Sequence, residues 1–361
     1  GDAALTYGAS YAQNDVIGMA IDLDNNTLTY YKNGASQGII DLPGPSSVNH
    51  PYYVACCHYW SAGTGTYLLR SLASDWTGTA PTGHLAIIQD NMSSSDQFIS
   101  AFSWIKNRET TDNWQLFDRV RGPYYSLITN AGTIGTEDST SLQRFLAGGA
   151  QIGSNAELNT ANESYVLWNF MMQSTGSGTV ISDGMTKISD SSTTAITQLK
   201  DLNLGMSITT YTGLGAHPAT IQHGLGVAPA LVIVSKYSGS GGGYIISSHF
   251  GSGNEAKWLY LFDDSALVSN STVFNGAYPT ATTFSVGTNA VTNGTVGGTY
   301  VAYCFAQSEF ISIGSYEGNA NANGTFVPTL NSLGIPIQPV FQMTKDIDAV
   351  GPWVIGDTSR S

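Results

Sequence analysis

Short apolar runs of about four to eight residues, alternating with polar positions and punctuated by Gly, Asn, Asp and Ser, fill most of this chain. That period of two predicts β-strands joined by tight turns. Residues 15–22 lead through Asp24-Asn25-Asn26 into residues 27–31, and Lys32-Asn33-Gly34 follows as a second reversal, an antiparallel meander by pattern. Further apolar runs lie at residues 52–59, 104–105, 231–234 and 341–343. Helical signals are few, limited to one or two turns over residues 140–146. The expected fold is all-β.

Three of these runs open the same phrase. Lys106 is followed at fixed spacing by Trp114 and Asp118, Lys236 by Tyr244 and Ser248, and Lys345 by Trp353 and Asp357. A closing phrase recurs too, Tyr165-Val166-Leu167-Trp168-Asn169-Phe170 as Tyr300-Val301-Ala302-Tyr303-Cys304-Phe305. Reiteration of this kind marks a repeated scaffold unit. Two readings of the repeated side chains follow. The ring could be a sugar-stacking platform beside a carboxylate that takes hydroxyl hydrogen bonds. Alternatively Lys and Asp bond each other or cap strand ends while the ring fills the core, and spacing that persists through a repeat favours this structural reading.

Composition narrows the function classes. Charged residues make up 11% of the 361, glycine numbers 41, and hydrophobic residues reach 42%, a mix that suits turn-rich β-structure and excludes disorder. A net charge of −13 argues against nucleic acid as a partner, because phosphate binding needs clustered Lys and Arg. No apolar run approaches the roughly 20 residues of a membrane-spanning helix, so membrane insertion is not expected. Three Cys give no disulfide framework, and Cys56, Cys57 and Cys304 are expected as buried thiols. No cofactor or metal is expected. Asp22, Asp24 and Asn26 are laid out like a calcium loop, but Thr27 and Asn33 stand where such a loop needs Gly and Glu, so a hairpin turn is favoured. The chain carries none of the nucleophile-elbow, P-loop or zinc-protease motifs, and no enzymatic activity is expected. His217 and His223 are expected to make turn hydrogen bonds.

Two stretches resemble known families. Residues 14–38, with Asp22-Leu23-Asp24-Asn25-Asn26 and Tyr30-Tyr31-Lys32-Asn33-Gly34, resemble the central signature of SPRY domains, concanavalin-like β-sandwiches that act as binding modules. Ala80-Pro81-Thr82-Gly83-His84, Trp104-Ile105-Lys106-Asn107-Arg108, residues 114–122 and His223-Gly224-Leu225-Gly226 resemble tail proteins of marine bacteriophages. The resemblances imply a partial SPRY-like sandwich over residues 1–82, repeat modules of β-sandwich type at 83–175 and 205–308 separated by a linker at 176–204, and the start of a third module at 309–361. The third copy stops soon after Asp357, so the chain reads as one stretch of a longer fibre.

The phage resemblance implies a virion protein on the tail or another exterior surface, and most simply a tail fibre or adhesin. Its partners would be a host-surface glycan or protein and other virion proteins, with a homotrimer as the family habit. Aromatics near turns, Tyr59, Trp60, Trp76, Tyr124 and Tyr125, are the expected binding residues. A purely structural capsid-decoration or neck or tail component, and a glycan depolymerase, remain the alternatives.

Overall fold

The computed structural model describes residues 7–10, 12, 15–22, 27–41, 98–134, 137–173, 178–238, 245–248 and 253–358. The chain divides into two compact units, residues 1–93 and 94–361. The architecture is all-β, as the alternating pattern predicts.

In the first unit, β1 (Ile17–Asp22), β2 (Thr27–Lys32) and β3 (Ala35–Asp41) form an antiparallel meander in sequence order. Asp22 pairs with Thr27 at the end of the β1–β2 ladder, and residues 23–26 between them lie outside the described residues. The second reversal is a two-residue turn in which Asn33 and Gly34 have φ of 51° and 82°. That left-handed pair matches strand twist and needs Asn and Gly, as the sequence provides. Asn33 also donates to Asp15 Oδ1 at 2.7 Å, and with Lys32 3.1 Å from Asp15 Oδ2 it holds the start of the meander.

The second unit begins with a four-stranded sheet. Its members are β4 (Phe98–Asn107), β5 (Gln115–Asp118), β6 (Gly122–Ile128) and, after the small hairpin of β7 (Leu142–Leu146) and β8 (Gly149–Ile152) and the single-turn helix α1 (Ala156–Asn159), β9 (Tyr165–Gln173). The spatial order is β6-β5-β4-β9. The helical turns expected over 140–146 are instead strand β7, because Leu142 is fully buried in a small cluster with Ile105 and Phe117 and Gly148, at φ 80°, turns the chain back into β8.

A ten-stranded antiparallel sheet follows, built from β10 (Thr179–Lys187), β11 (Thr193–Asp201), β12 (Met206–Thr212), β13 (Ala219–Gln222), β14 (Leu231–Lys236), β15 (Ile245–Ser248), β16 (Lys257–Tyr260), β17 (Val268–Ser269), β18 (Thr283–Val286) and β19 (Thr299–Phe305), with a helical turn α2 (Ser271–Phe274). Its order is β17-β16-β15-β14-β19-β12-β11-β10-β13-β18. The linker expected at 176–204 is therefore largely two strands of this sheet. Its Ser and Thr content reads as loop by polarity, yet β-branched Thr and Ile favour a pleated surface, and Ile196 and Leu199 turn inward to the core.

Strand β19 shows where the core sits. Val301, Tyr303 and Phe305 face one apolar cluster, and Tyr300, Ala302 and Cys304 face another, so both sides of this central strand are covered. The first cluster packs the ten-stranded sheet against Phe102, Trp104, Leu116 and Trp168 of the four-stranded one. The second is closed by the curled β13 and β18 end of the same sheet, with Ile221, Phe284 and the α2 residues Val273 and Phe274. Cys304 is a buried free thiol, as expected, whereas Cys56 and Cys57 lie outside the described residues.

A last hairpin, β20 (Phe341–Thr344) and β21 (Val354–Asp357), adds Phe341, Met343, Trp353 and Ile355 to the first cluster. The modules are thus not independent beads, since the apolar faces of all three copies share one core. Phe102 carries this sharing, with ring contacts to Phe170 at 5.3 Å, Tyr303 at 5.3 Å and Phe305 at 6.4 Å. Phe102→Ala is expected to cost about 3–5 kcal/mol. In denaturant, residues 98–358 of wild type and variant should unfold in one transition; separate transitions for the two halves would show independent modules.

Candidate functional site

The thrice-written phrase is a β-hairpin each time. In the first copy Phe102 pairs with Asp118 and Trp104 with Leu116, and in the third Phe341 pairs with Asp357 and Met343 with Ile355, the same register. Both Lys residues then do the same work at the hairpin mouth. Lys106 Nζ donates to the carbonyls of Asn107 at 2.7 Å and Thr110 at 2.9 Å, and Lys345 Nζ to those of Asp346 at 2.6 Å and Ala349 at 3.5 Å. Each ammonium closes its own loop by satisfying carbonyls that leave the ladder.

The second copy departs from this by one position. Leu231 pairs with Ser248, which places Ser235 where the first copy has Lys106 and Lys236 where it has Asn107. The loop has one residue more, and the matching spacing of Lys236 hides that shift. Lys236 instead donates to Thr295 Oγ1 at 3.0 Å. Tyr244 lies outside the described residues.

The repeated carboxylates reach across copies. Asp118 is fully buried and accepts from Val120 N, Arg121 N, Arg121 Nε at 2.5 Å and the hydroxyl of Tyr303 at 2.7 Å. Tyr303 belongs to the closing phrase of the second copy. Asp357 of the third copy accepts from Trp168 Nε1 at 3.1 Å, and Trp168 occupies the matching place in the closing phrase of the first. Arg121 also donates to the Tyr303 hydroxyl at 3.2 Å and lies 5.7 Å from the Tyr237 ring centre. Charge-assisted hydrogen bonds in a water-poor setting are strong and directional, so these links fix how the copies sit together. The copy-to-copy pairing was legible only as an unexplained aromatic match between Trp168 and Tyr303.

Rings and carboxylates also meet at the surface. Trp114 stacks on Trp168 with centroids 5.3 Å apart, and Trp353 donates its Nε1 hydrogen to Tyr260 O at 2.8 Å. Between them opens a groove of about 690 Å³, lined by these two rings, Thr129, Asn130, Asp263 and Asp264 among others. Asp263 holds its own loop by accepting from Ser265 N at 3.0 Å, and the exposed Asp264 and Asn130 stand at the edge. Half-buried indoles beside carboxylate and amide groups can take an apolar ring face and its hydroxyls together. Asn130 and Asp264 carried no signal in the sequence, because only folding brings three copies to one rim.

The other expected binding residues lie elsewhere. Tyr124 sits at φ 70° just after the β5–β6 turn, and the exposed Tyr125 bridges to Glu137, whose carboxylate raises the Tyr125 pKa by accepting its hydrogen bond. Neither lines the groove. Tyr59, Trp60 and Trp76 lie outside the described residues. Among the described residues no group of three or more His, Cys, Asp or Glu is placed to hold a metal ion.

Residues 82–361 match a family described as a domain of unknown function, DUF7483. The chain belongs to this family. No curated protein and no solved structure shows significant similarity to it. The DUF7483 match spans all three hairpins and both closing strands, so the cross-copy carboxylates lie wholly inside it.

His223 is buried beside the second cluster with both ring nitrogens engaged. Its Nε2 donates to Thr280 O at 3.0 Å and its Nδ1 accepts from Leu225 N at 3.2 Å, which defines the neutral ring, and burial lowers its pKa from the ordinary 6.5. The unfolded chain therefore binds a proton that the folded chain refuses just below pH 6.5, so stability falls as pH drops through that window. His223→Asn should flatten this slope between pH 7 and 5 in urea titrations. Asp118→Ala is expected to cost about 3–5 kcal/mol by leaving Arg121 buried without its carboxylate, a loss readable in the same titrations.

Proposed function

We propose that this chain is a phage virion protein of the tail or another exterior surface, a fibre or adhesin whose β-modules present loops to the host cell. What supports the reading is the fate of the repeated chemistry. Lys106, Lys345, Asp118 and Asp357 are engaged in hairpin closure and in bonds between copies, while the surface groove combines Trp114 and Trp353 with side chains that differ from copy to copy. A scaffold with variable rims suits recognition. The β1–β3 meander with its Asn33-Gly34 turn supports a SPRY-like sandwich over residues 1–82.

The ligand class that fits the groove is a host-surface glycan, whose ring faces stack on indole while its hydroxyls reach Asn130, Asp263 and Asp264. Several weak sites on one particle gain strength through avidity, and assembly into trimers with other virion proteins would supply the copies. A virion part that assembles without touching the host is the second reading, favoured by the exposed apolar residues Phe310, Phe326, Leu333 and Val340.

The purified chain is expected to bind host cells, to block infection, and to retain particular polysaccharides on a glycan array. Asp264→Ala should weaken retention by about tenfold, since a hydrogen bond to a charged group is worth about 1.5 kcal/mol. Failure to bind cells together with failure to block infection would remove the adhesin reading and leave the assembly role.

A further inference from the structure

In the second copy the closing strand β19 lies between two neighbours, β12 on one edge and β14 on the other. Both neighbours have counterparts in the third copy. Ser312-Ile313-Gly314-Ser315-Tyr316-Glu317-Gly318 repeats Ser207-Ile208-Thr209-Thr210-Tyr211-Thr212-Gly213, and β20 repeats β14. Among the described residues, no strand lies between these two counterparts, and β20 pairs only with β21.

Two observations bear on what could fill this place. Tyr211 is 3% exposed because it stacks on Tyr300 of β19, with centroids 5.4 Å apart, whereas its counterpart Tyr316 is 51% exposed. Ile313, by contrast, already packs against the shared core, as Ile208 does, so the third segment is anchored there, and among the described residues no ring stacks on Tyr316. On the other side, Thr358 N donates to Val340 O, which by antiparallel alternation turns the backbone N–H and C=O of Met343 away from β21. Met343 corresponds to Trp104 and Ile233, and those two residues pair across the ladder with Trp168 of β9 and Tyr303 of β19. The free edge of the third hairpin thus presents the register that receives a closing phrase in the other two copies.

We propose that this place accepts an antiparallel β-strand with the chemistry of the closing phrase, Tyr-Val-x-aromatic-x-Phe, with its Tyr opposite Tyr316 and its central ring opposite Met343. The occupant is a further copy of the phrase that the chain carries at residues 165–170 and 300–305. Main-chain hydrogen bonds to β20, and on the other edge to groups of residues 312–318 other than Ile313 N and Glu317 O, which Gln307 and Thr325 already bind, would give affinity, and the alternate rings would enter the apolar core and give selectivity. Of the exposed large apolar side chains, Phe310, Tyr316, Val340 and Val354 lie on or beside the segments that would flank it.

The test uses the full chain and a synthetic peptide of residues 298–307 carrying Cys304→Ser, followed by amide hydrogen exchange. Peptide at saturation is expected to slow exchange about tenfold across residues 312–318 and at Met343, with a matching rise in melting temperature, while a scrambled peptide does neither. Tyr316→Ala, at an exposed position that leaves the fold intact, should weaken peptide binding several-fold. No slowing, or equal slowing by the scrambled peptide, would overturn the proposal. So would a chain that is dimeric on its own with Met343 already protected, since the occupant would then be a second copy.

Discussion

Everything in the second unit depends on a single constraint: a β-hairpin with one apolar face cannot bury that face alone. Here three such faces turn to a common centre, where Phe102, Trp104, Trp168, Ile233, Tyr303, Phe305, Phe341 and Met343 meet. Burying a large apolar side chain contributes about 1.5–3 kcal/mol, so this centre dominates the favourable side of folding. Aromatic rings link the copies there through edge-to-face contacts, Phe102 with Tyr303 and Trp168 with Phe341.

Apolar burial alone would leave the angle between copies loosely defined. The carboxylates supply direction, since Asp118 reaches Tyr303 and Asp357 reaches Trp168, each from one copy into the closing strand of another. A hydrogen bond to a carboxylate is directional, buried at Asp118 and half-buried at Asp357, so the repeat encodes its own assembly. In the proposed reading, recognition falls to what the assembly leaves outside, namely the groove rim and the edge of the third hairpin.

The sequence made the all-β class readable, because period-two alternation and turn residues such as Asn33-Gly34 act locally. It also exposed the repeat, including the match of Trp168 with Tyr303. Three things were not legible. Polar Thr-rich strands β10 and β11 resemble a linker until Ile196 and Leu199 find a core. The one-residue shift at Lys236 is concealed because a longer loop restores the apparent spacing. The groove joins Asn130 to Asp264 and Trp353, and no local pattern reports neighbours so distant in sequence.

The central claim is that the copies are fastened to each other by ring-to-carboxylate bonds within one core. A double-mutant cycle on Asp357 and Trp168, separated by 189 residues, tests it most directly, using Asp357→Ala, Trp168→Phe and the combination in equilibrium denaturation. A bond across copies predicts a coupling energy of about 1 kcal/mol or more; additivity within about 0.3 kcal/mol would contradict the account.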